Sequence, residues 1–128
     1  MHQYLLSTYA VSGEVPGAPQ TPEEMQAFMQ RLVALEAEMD EAGAFVFSGG
    51  LLGPDAATVV NPGSVKAAGG PFSGSDEYMA GFYIINAGDV EEAQAWAARV
   101  AEATNHPIEM RPFAATGKVA DHVGSPDA

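Results

Sequence analysis

The chain has 128 residues, of which 47% are hydrophobic, and this is enough for one domain with its own core. It contains no cysteine, which excludes disulfide bonds, thiolate nucleophiles and cysteine-ligated metal centres. Seventeen acidic residues against five basic ones give a formal charge of −12, a sign that repels nucleic acid and anionic membranes. No apolar run approaches the roughly 20 residues of a membrane-spanning helix, and the N-terminus lacks the basic segment of a signal peptide. The sequence predicts a cytoplasmic protein.

The first predicted elements are a strand and a helix. The strand covers residues 3–9, whose sequence QYLLSTY is rich in aromatic and aliphatic side chains. The helix is expected near residues 22–42, because Thr21 can cap its free amides, Pro22 suits its first position and Glu24 completes a capping box. Apolar side chains then recur at helical spacing and form one face: Met25, Phe28, Leu32, Leu35 and Met39.

The middle of the chain predicts three short strands and a loop. The strands cover residues 44–48 and 58–60, with residues 64–67 returning as a hairpin partner after an Asn-Pro-Gly turn. Residues 69–75 (GGPFSGS) predict an ordered loop, because a proline and a phenylalanine restrict and anchor it.

A strand, a second helix and a last strand complete the predicted elements. The strand covers residues 81–87 (GFYIINA), the most strand-like stretch of the chain. Asp89 and Glu92 form a second capping box, which starts a helix near residues 90–103. The last strand covers residues 108–112 (IEMRP).

This order predicts an α+β domain of the ferredoxin-like, split βαβ kind over residues 1–113, followed by a loose polar tail over residues 114–128. In such a domain both helices cover one face of a mostly antiparallel sheet. The strands nevertheless carry apolar residues on both sides, as Leu5 and Leu6 illustrate. We therefore expect the helix-free face to meet a second copy of the chain, in a homodimer.

Several short motifs support a family resemblance. They are Gly70-Pro71-Phe72, Gly81-Phe82-Tyr83, Asp89-Val90-Glu91-Glu92-Ala93, Trp96-Ala97-Ala98-Arg99 and Glu109-Met110-Arg111-Pro112. In these motifs and their order the chain resembles the YCII-related family, often called DGPF after its loop motif. The resemblance implies a dimeric α/β barrel, in which two ferredoxin-like sheets pack face to face. It also implies, for enzymatic relatives, a His–Asp acid–base pair whose Asp lies in the DGPF loop.

The chain departs from the family pattern at this loop. Gly69 stands where the motif has its Asp, and Gly74 and Asp76 stand where Glu and Lys are typical. No histidine falls in the first helix or its adjoining strands apart from His2. The departure favours a protein that has lost the family's catalysis.

Six residues are candidates for ligand binding: Tyr9, Ser48, Phe72, Tyr83, Glu109 and Arg111. Glu109 and Arg111 alternate with apolar neighbours, so they share the sheet face opposite the helices. They are interpreted either as a structural ion pair at the subunit interface or, in the case of Arg111, as the anchor for a small anionic ligand. The tyrosines and the serine supply hydroxyls near strand ends, which either complete the core or take part in binding.

No metal site or cofactor is predicted, because the three histidines are scattered: His2, His106 and His122. Acidic residues late in the first helix, among them Glu36 and Glu38, are interpreted as a solvated face or as a surface for a basic partner. Two functions stay open. The first is a non-catalytic homodimer that binds a small molecule or has a regulatory role. The second is a lyase- or isomerase-type acid–base enzyme, acting on a small polar or aromatic metabolite in the dimer cleft.

Overall fold

The computed structural model describes residues 2–11, 19–63, 67–69 and 76–123. The strands and helices within these ranges are β1 (His2–Val11), α1 (Pro22–Glu41), β2 (Phe45–Gly50), β3 (Thr58–Val60), β4 (Ala67–Gly69), β5 (Glu77–Ala87), α2 (Val90–Thr104) and β6 (Ile108–Pro112). Four strands form one sheet in the order β2-β5-β1-β6, and every neighbouring pair is antiparallel. The two helices pack on this sheet, so the predicted ferredoxin-like α+β fold is confirmed. Neither helix of the described part is both long and apolar enough to cross a lipid bilayer.

Helix α1 begins as its capping motif predicts. The backbone N–H of Glu24 donates to the hydroxyl of Thr21 at 3.1 Å, which satisfies one of the free amides of the first turn. The carboxylate of Glu24 accepts from the backbone N–H of Gln20 at 2.7 Å, one residue before the cap. Of the predicted apolar face, only Leu35 and Met39 are fully buried, and the residues nearer the start are half-buried or exposed.

Helix α2 begins with the same arrangement. The backbone N–H of Glu92 donates to the carboxylate of Asp89 at 2.8 Å, and the carboxylate of Glu92 accepts from the N–H of Gly88 at 2.9 Å. Asn105 ends the helix in the left-handed conformation with φ of 55°, which asparagine tolerates better than most residues.

The core lies between the sheet and the two helices. Its largest fully buried side chains come from both layers: Leu6, Met39, Ile85 and Val100. Arg99 of α2 forms an ion pair with Glu38 of α1, and its guanidinium lies 5.2 Å from the centroid of the Trp96 ring. Both charged side chains are about half exposed (46% and 53%), so water screens the pair and its contribution to stability is about 0–1 kcal/mol.

An extra residue in β2 decides which of its aromatic side chains faces the core. Phe45 is opposite Ile85 of β5, whereas Phe47 is opposite Ile84, so Val46 has no partner of its own. Such a β-bulge bends the strand and changes the alternation of its side chains. Phe45 therefore packs against the core on the helix side, and Phe47 lies on the helix-free face.

A second irregularity lies where β1 pairs with β5. Ala80 has no partner in β1, because Thr8 is opposite Gly81 and Tyr9 is opposite Met79. The hydroxyl of Thr8 donates to the carbonyl oxygen of Gly81 at 3.1 Å, in a buried position. A Cβ atom on Gly81 would lie 2.8 Å from the carbonyl oxygen of Gly49 in β2. Only glycine allows the two strands to approach this closely.

The hairpin after β3 differs from its prediction. Its second strand is β4, Ala67–Gly69, rather than residues 64–67, of which 64–66 lie outside the described residues. The predicted loop over residues 69–75 begins inside this strand, since Gly69 pairs with Thr58. Residues 70–75, which include Phe72, lie outside the described residues. In the predicted tail, Val119–Asp121 forms a short 3-10 helix, and residues 124–128 are not described.

Candidate functional site

On the helix-free face of the sheet, two rows of residues cross all four strands. The strand register fixes the first, here called the Arg111 row, as Phe47, Ile84, Leu5 and Arg111. It fixes the second, the Glu109 row, as Gly49, Phe82, Ser7 and Glu109. The rings of Phe47 and Phe82 contact each other, with centroids 6.0 Å apart. Phe47 is 59% exposed, so this face leaves apolar surface uncovered in a single chain.

Glu109 and Arg111 lie on this face, as the alternation along their strand predicts. Both side chains are exposed, and neither forms an ion pair or a hydrogen bond with another residue in the part of the chain that the structure describes. The two do not pair with each other within one chain. Both charges are open to solvent in the part of the chain that the structure describes.

Two grooves open at the end of the sheet where β1 ends and β5 begins, and Tyr9 lines both. The larger, here called the Leu51 groove, has a volume of about 620 Å³. Its walls are mainly apolar or aromatic and include Leu51, Pro54, Tyr78 and Met79. The smaller, here called the Glu109 groove, has a volume of about 370 Å³. Both volumes fall in the range of about 300–1,000 Å³ that is typical of small-molecule sites.

The polar groups of these grooves are two hydroxyls and two carboxylates. Tyr9 and Tyr78 supply the hydroxyls, Glu77 lines both grooves and Glu109 lines the smaller one. Among the described residues no histidine, lysine or arginine lines either groove. His2 lies elsewhere, in a shallow depression that is also lined by residues of the loop before α2. The arrangement suits an apolar or aromatic molecule whose polar group binds a hydroxyl or a carboxylate.

Tyr83 lies on the other side of the sheet, towards the helices. It is 6% exposed and donates its hydroxyl proton to the carboxylate of Glu36 in α1 at 2.6 Å. Burial, followed by the hydrogen bond to Glu36 and its negative charge, raises the pKa of Tyr83 well above its ordinary value. Tyr83 therefore stays protonated at neutral pH and acts as a donor that ties α1 to the sheet.

The six candidate residues are thus divided between the two sides of the sheet. Ser48 is opposite Tyr83 in the register and shares its side, whereas Tyr9, Glu109 and Arg111 share the helix-free side. Phe72 lies outside the described residues. Tyr9 and Glu109 meet in the Glu109 groove, and Arg111 lines neither groove.

The sequence interpretation misses the contact that Glu36 makes with the sheet. We expected this carboxylate on a solvated face, but it is half-buried against Tyr83. Glu36 follows Leu32 by four residues and Leu35 by one, which places it at the border of the apolar face of α1. That position is the only signal in the sequence. Across the described ranges, no group of three or more His, Asp or Glu residues is arranged to hold a metal ion.

The chain matches the model of a known protein family. A family model described as the YCII-related domain matches residues 3–117. The match covers both helices and the four-stranded sheet, apart from the first residue of β1. No curated protein matches the chain.

Proposed function

Because the chain belongs to the YCII-related domain family, we propose that it is a homodimer that binds a small molecule and does not catalyse acid–base chemistry on it. The observation that carries this proposal is the Leu51 groove, which has the volume of a ligand site and walls that are mainly apolar. The groove lies at one end of the helix-free face. A second copy of the chain that packed on that face would therefore lie next to the groove.

The chemistry of the site supports binding without catalysis. The position that resembles the acid–base Asp of the family is Gly69, which has no side chain and belongs to β4. No histidine is found among the described residues that line the two grooves. A proton-transfer catalyst needs a donor or acceptor with a suitable pKa within reach of its substrate. The described lining offers only carboxylates and tyrosine hydroxyls.

The dimer is supported by the helix-free face. The Arg111 row presents three apolar side chains, one each from β2, β5 and β1. Of these, Phe47 is more than half exposed. Apolar surface of this kind favours association, because its removal from water contributes about 25 cal/mol per Å².

The ligand is proposed to be a small aromatic or apolar molecule with one polar group. An anionic group would have to reach Arg111, which lies outside both grooves. A neutral hydroxyl or amide group could bind Tyr9 or a carboxylate directly.

Catalysis of the lyase or isomerase type is the alternative. It is supported by the Glu109 groove, where Tyr9, Glu77 and Glu109 line one small volume. The two carboxylates would be the acid–base groups. Deuterium exchange at the CH2 group of phenylpyruvate, catalysed by the wild-type protein and abolished in Glu109→Gln, would favour this alternative over simple binding.

The proposed function is tested by an NMR titration of the full chain with benzyl alcohol and with benzoate. We expect benzyl alcohol to shift the backbone amide signals of residues that line the Leu51 groove, namely residues 51–53, 56–57 and 77–79. In Leu51→Glu, which places a charge on the groove wall, the same titration should show little or no shift. The matched control is Val60→Glu, which changes another exposed apolar residue outside the groove lining and should bind as the wild type does. Shifts that are absent, or equal in Leu51→Glu and wild type, would contradict the proposal.

A further inference from the structure

Tyr9 lies between two carboxylates on the helix-free face. Along β1 it follows Ser7 by two residues, and Ser7 is opposite Glu109 of β6. It precedes Val11 by two residues, and Val11 is opposite Glu77 of β5. Tyr9 therefore has a carboxylate as its diagonal neighbour in each of the two adjacent strands, at a distance of about 7–8 Å between Cα atoms.

The two grooves meet at this group of residues. Tyr9 and Glu77 line both the Leu51 groove and the Glu109 groove, and Glu109 lines the smaller of the two. From Tyr9 the larger groove continues along walls that include the apolar side chains of Leu51 and Met79. A single molecule can therefore place an apolar part in the Leu51 groove and a polar group beside Tyr9.

The charges around Tyr9 favour a cationic group at that point. The described lining of the two grooves includes two carboxylates and no arginine, lysine or histidine. The backbone N–H of Tyr9 already donates to the carbonyl oxygen of Pro107 at 3.1 Å, so it is not available to an anion. Ionised carboxylates only accept hydrogen bonds. The formal charge of −12 adds a long-range attraction for cations.

We propose that the ligand is an arylalkylamine, with its aromatic ring in the Leu51 groove and its primary ammonium group beside Tyr9, Glu109 and Glu77. The inference rests on the proposed function and adds the class of ligand to it. An ammonium group has three donors and no acceptor, which matches two carboxylates and a hydroxyl. A cation near the face of a tyrosine ring is also attracted by the electrons of the ring. A carboxylate can accept about four hydrogen bonds, so one that has another partner can still bind the ammonium group.

Other classes of ligand match these residues less well. A carboxylate would meet two charges of its own sign, and the nearest base on this face, Arg111, lines neither groove. An alcohol of the same shape would fill the apolar walls but would bring one donor and no charge. A calcium ion needs about six or more oxygen ligands, and the described residues contain no group of three that could hold a metal ion.

The test is an NMR titration of the full chain with three ligands of nearly the same shape, at neutral pH and low ionic strength. The ligands are 2-phenylethylamine, 2-phenylethanol and phenylacetate. We expect the amine to bind about fivefold more tightly than the alcohol, the gain that is typical of an exposed pair of opposite charges. Phenylacetate should bind more weakly than either. The amine and the alcohol should both shift the amide signals of residues 77–79, and the amine should also shift that of Glu109.

Glu109→Gln removes one charge and keeps the shape of the side chain. In this variant the affinity for 2-phenylethylamine should fall about threefold, and the affinity for 2-phenylethanol should stay the same. The matched control is Glu91→Gln, which makes the same change in net charge at an exposed site of α2 outside both grooves. It should bind both ligands as the wild type does. Equal losses in the two variants would show that the amine responds only to overall charge, and would overturn the proposal.

The outcomes separate this inference from the proposed function. If the alcohol binds the Leu51 groove as tightly as the amine does, the amine class is wrong and the proposed function remains. If neither ligand shifts the signals of the groove residues, the proposed function fails and the inference fails with it.

Discussion

Replacing Tyr83 by phenylalanine removes one hydroxyl from the interior and leaves the ring in place. In the wild-type protein this hydroxyl is the donor in the 2.6 Å hydrogen bond to the Glu36 carboxylate, which joins β5 to α1. The ring of Tyr83 is 6% exposed, so the substitution changes little apolar burial. The loss in stability should therefore report the hydrogen bond itself.

The size of the loss follows from the two partners. A hydrogen bond to a charged group contributes about 1.5–3 kcal/mol to stability. Glu36 is only half-buried, so water can solvate the carboxylate that the substitution leaves without its donor. We expect Tyr83→Phe to lower the free energy of unfolding by about 1.5 kcal/mol, the lower end of that range. For a domain of this size the melting temperature should fall by about 4–7 °C.

The assay is urea denaturation at a fixed protein concentration, because association would contribute to the measured stability. Tyr9→Phe is the matched control, since its hydroxyl forms no hydrogen bond with any residue that the structure describes. It should change the free energy of unfolding by less than about 0.5 kcal/mol. A double-mutant cycle with Glu36→Ala should give a coupling energy of about 1 kcal/mol or more between the two residues.

Alkaline pH provides an independent check. The pKa of Tyr83 in the folded protein is raised above its ordinary value, mainly by burial and then by Glu36. Its contribution to stability is therefore fully present below the unfolded pKa of about 10. It is lost as the pH rises through the higher folded pKa. The stability difference between wild type and Tyr83→Phe should be constant near neutral pH and should decrease above about pH 10. A coupling energy near zero, together with equal stability of the two proteins, would refute the reasoning.

Two further predictions concern the backbone. Gly81→Ala should destabilise the protein by about 2 kcal/mol or more, because its Cβ would lie 2.8 Å from the carbonyl oxygen of Gly49. Gly50→Ala, where a Cβ meets nothing within 4 Å, is the control in the same denaturation assay, and equal losses would contradict the steric explanation. Thr21→Ala and Asp89→Ala should each cost about 1 kcal/mol, since each removes the side chain that caps a helix. Unchanged melting temperatures in both variants would show that the caps are dispensable.

The helix starts and the order of the elements could be predicted because their signals are local. Thr21 with Glu24, and Asp89 with Glu92, place the first turns of both helices within a residue of the observed ones. The last strand, Ile108–Pro112, also agrees with its prediction. Turn residues, helix caps and the spacing of apolar residues can each be recognised within a few positions along the sequence.

The features that sequence could not supply depend on neighbouring strands. Val46 is left without a partner by the register between β2 and β5. Ala80 is left without a partner in β1 by the register between β1 and β5. Likewise, the placement of Ser48 on the side opposite Arg111 requires the alternation along β2 to be counted through a bulge. No local pattern marks these positions, so the sequence assigned Glu109 and Arg111 to a face but not the two tyrosines and the serine.

The helix caps described above have a consequence for ligand competition. At the start of each helix, the carboxylate of a glutamate already accepts a hydrogen bond from a backbone N–H. Glu24 accepts from Gln20, and Glu92 accepts from Gly88. A tethered group of this kind acts as an intramolecular ligand with an effective concentration in the millimolar range or higher. A dissolved phosphate would have to displace it while meeting the negative charge that the glutamate contributes. Both helix starts are therefore poorly suited to binding the phosphate group of a dissolved molecule.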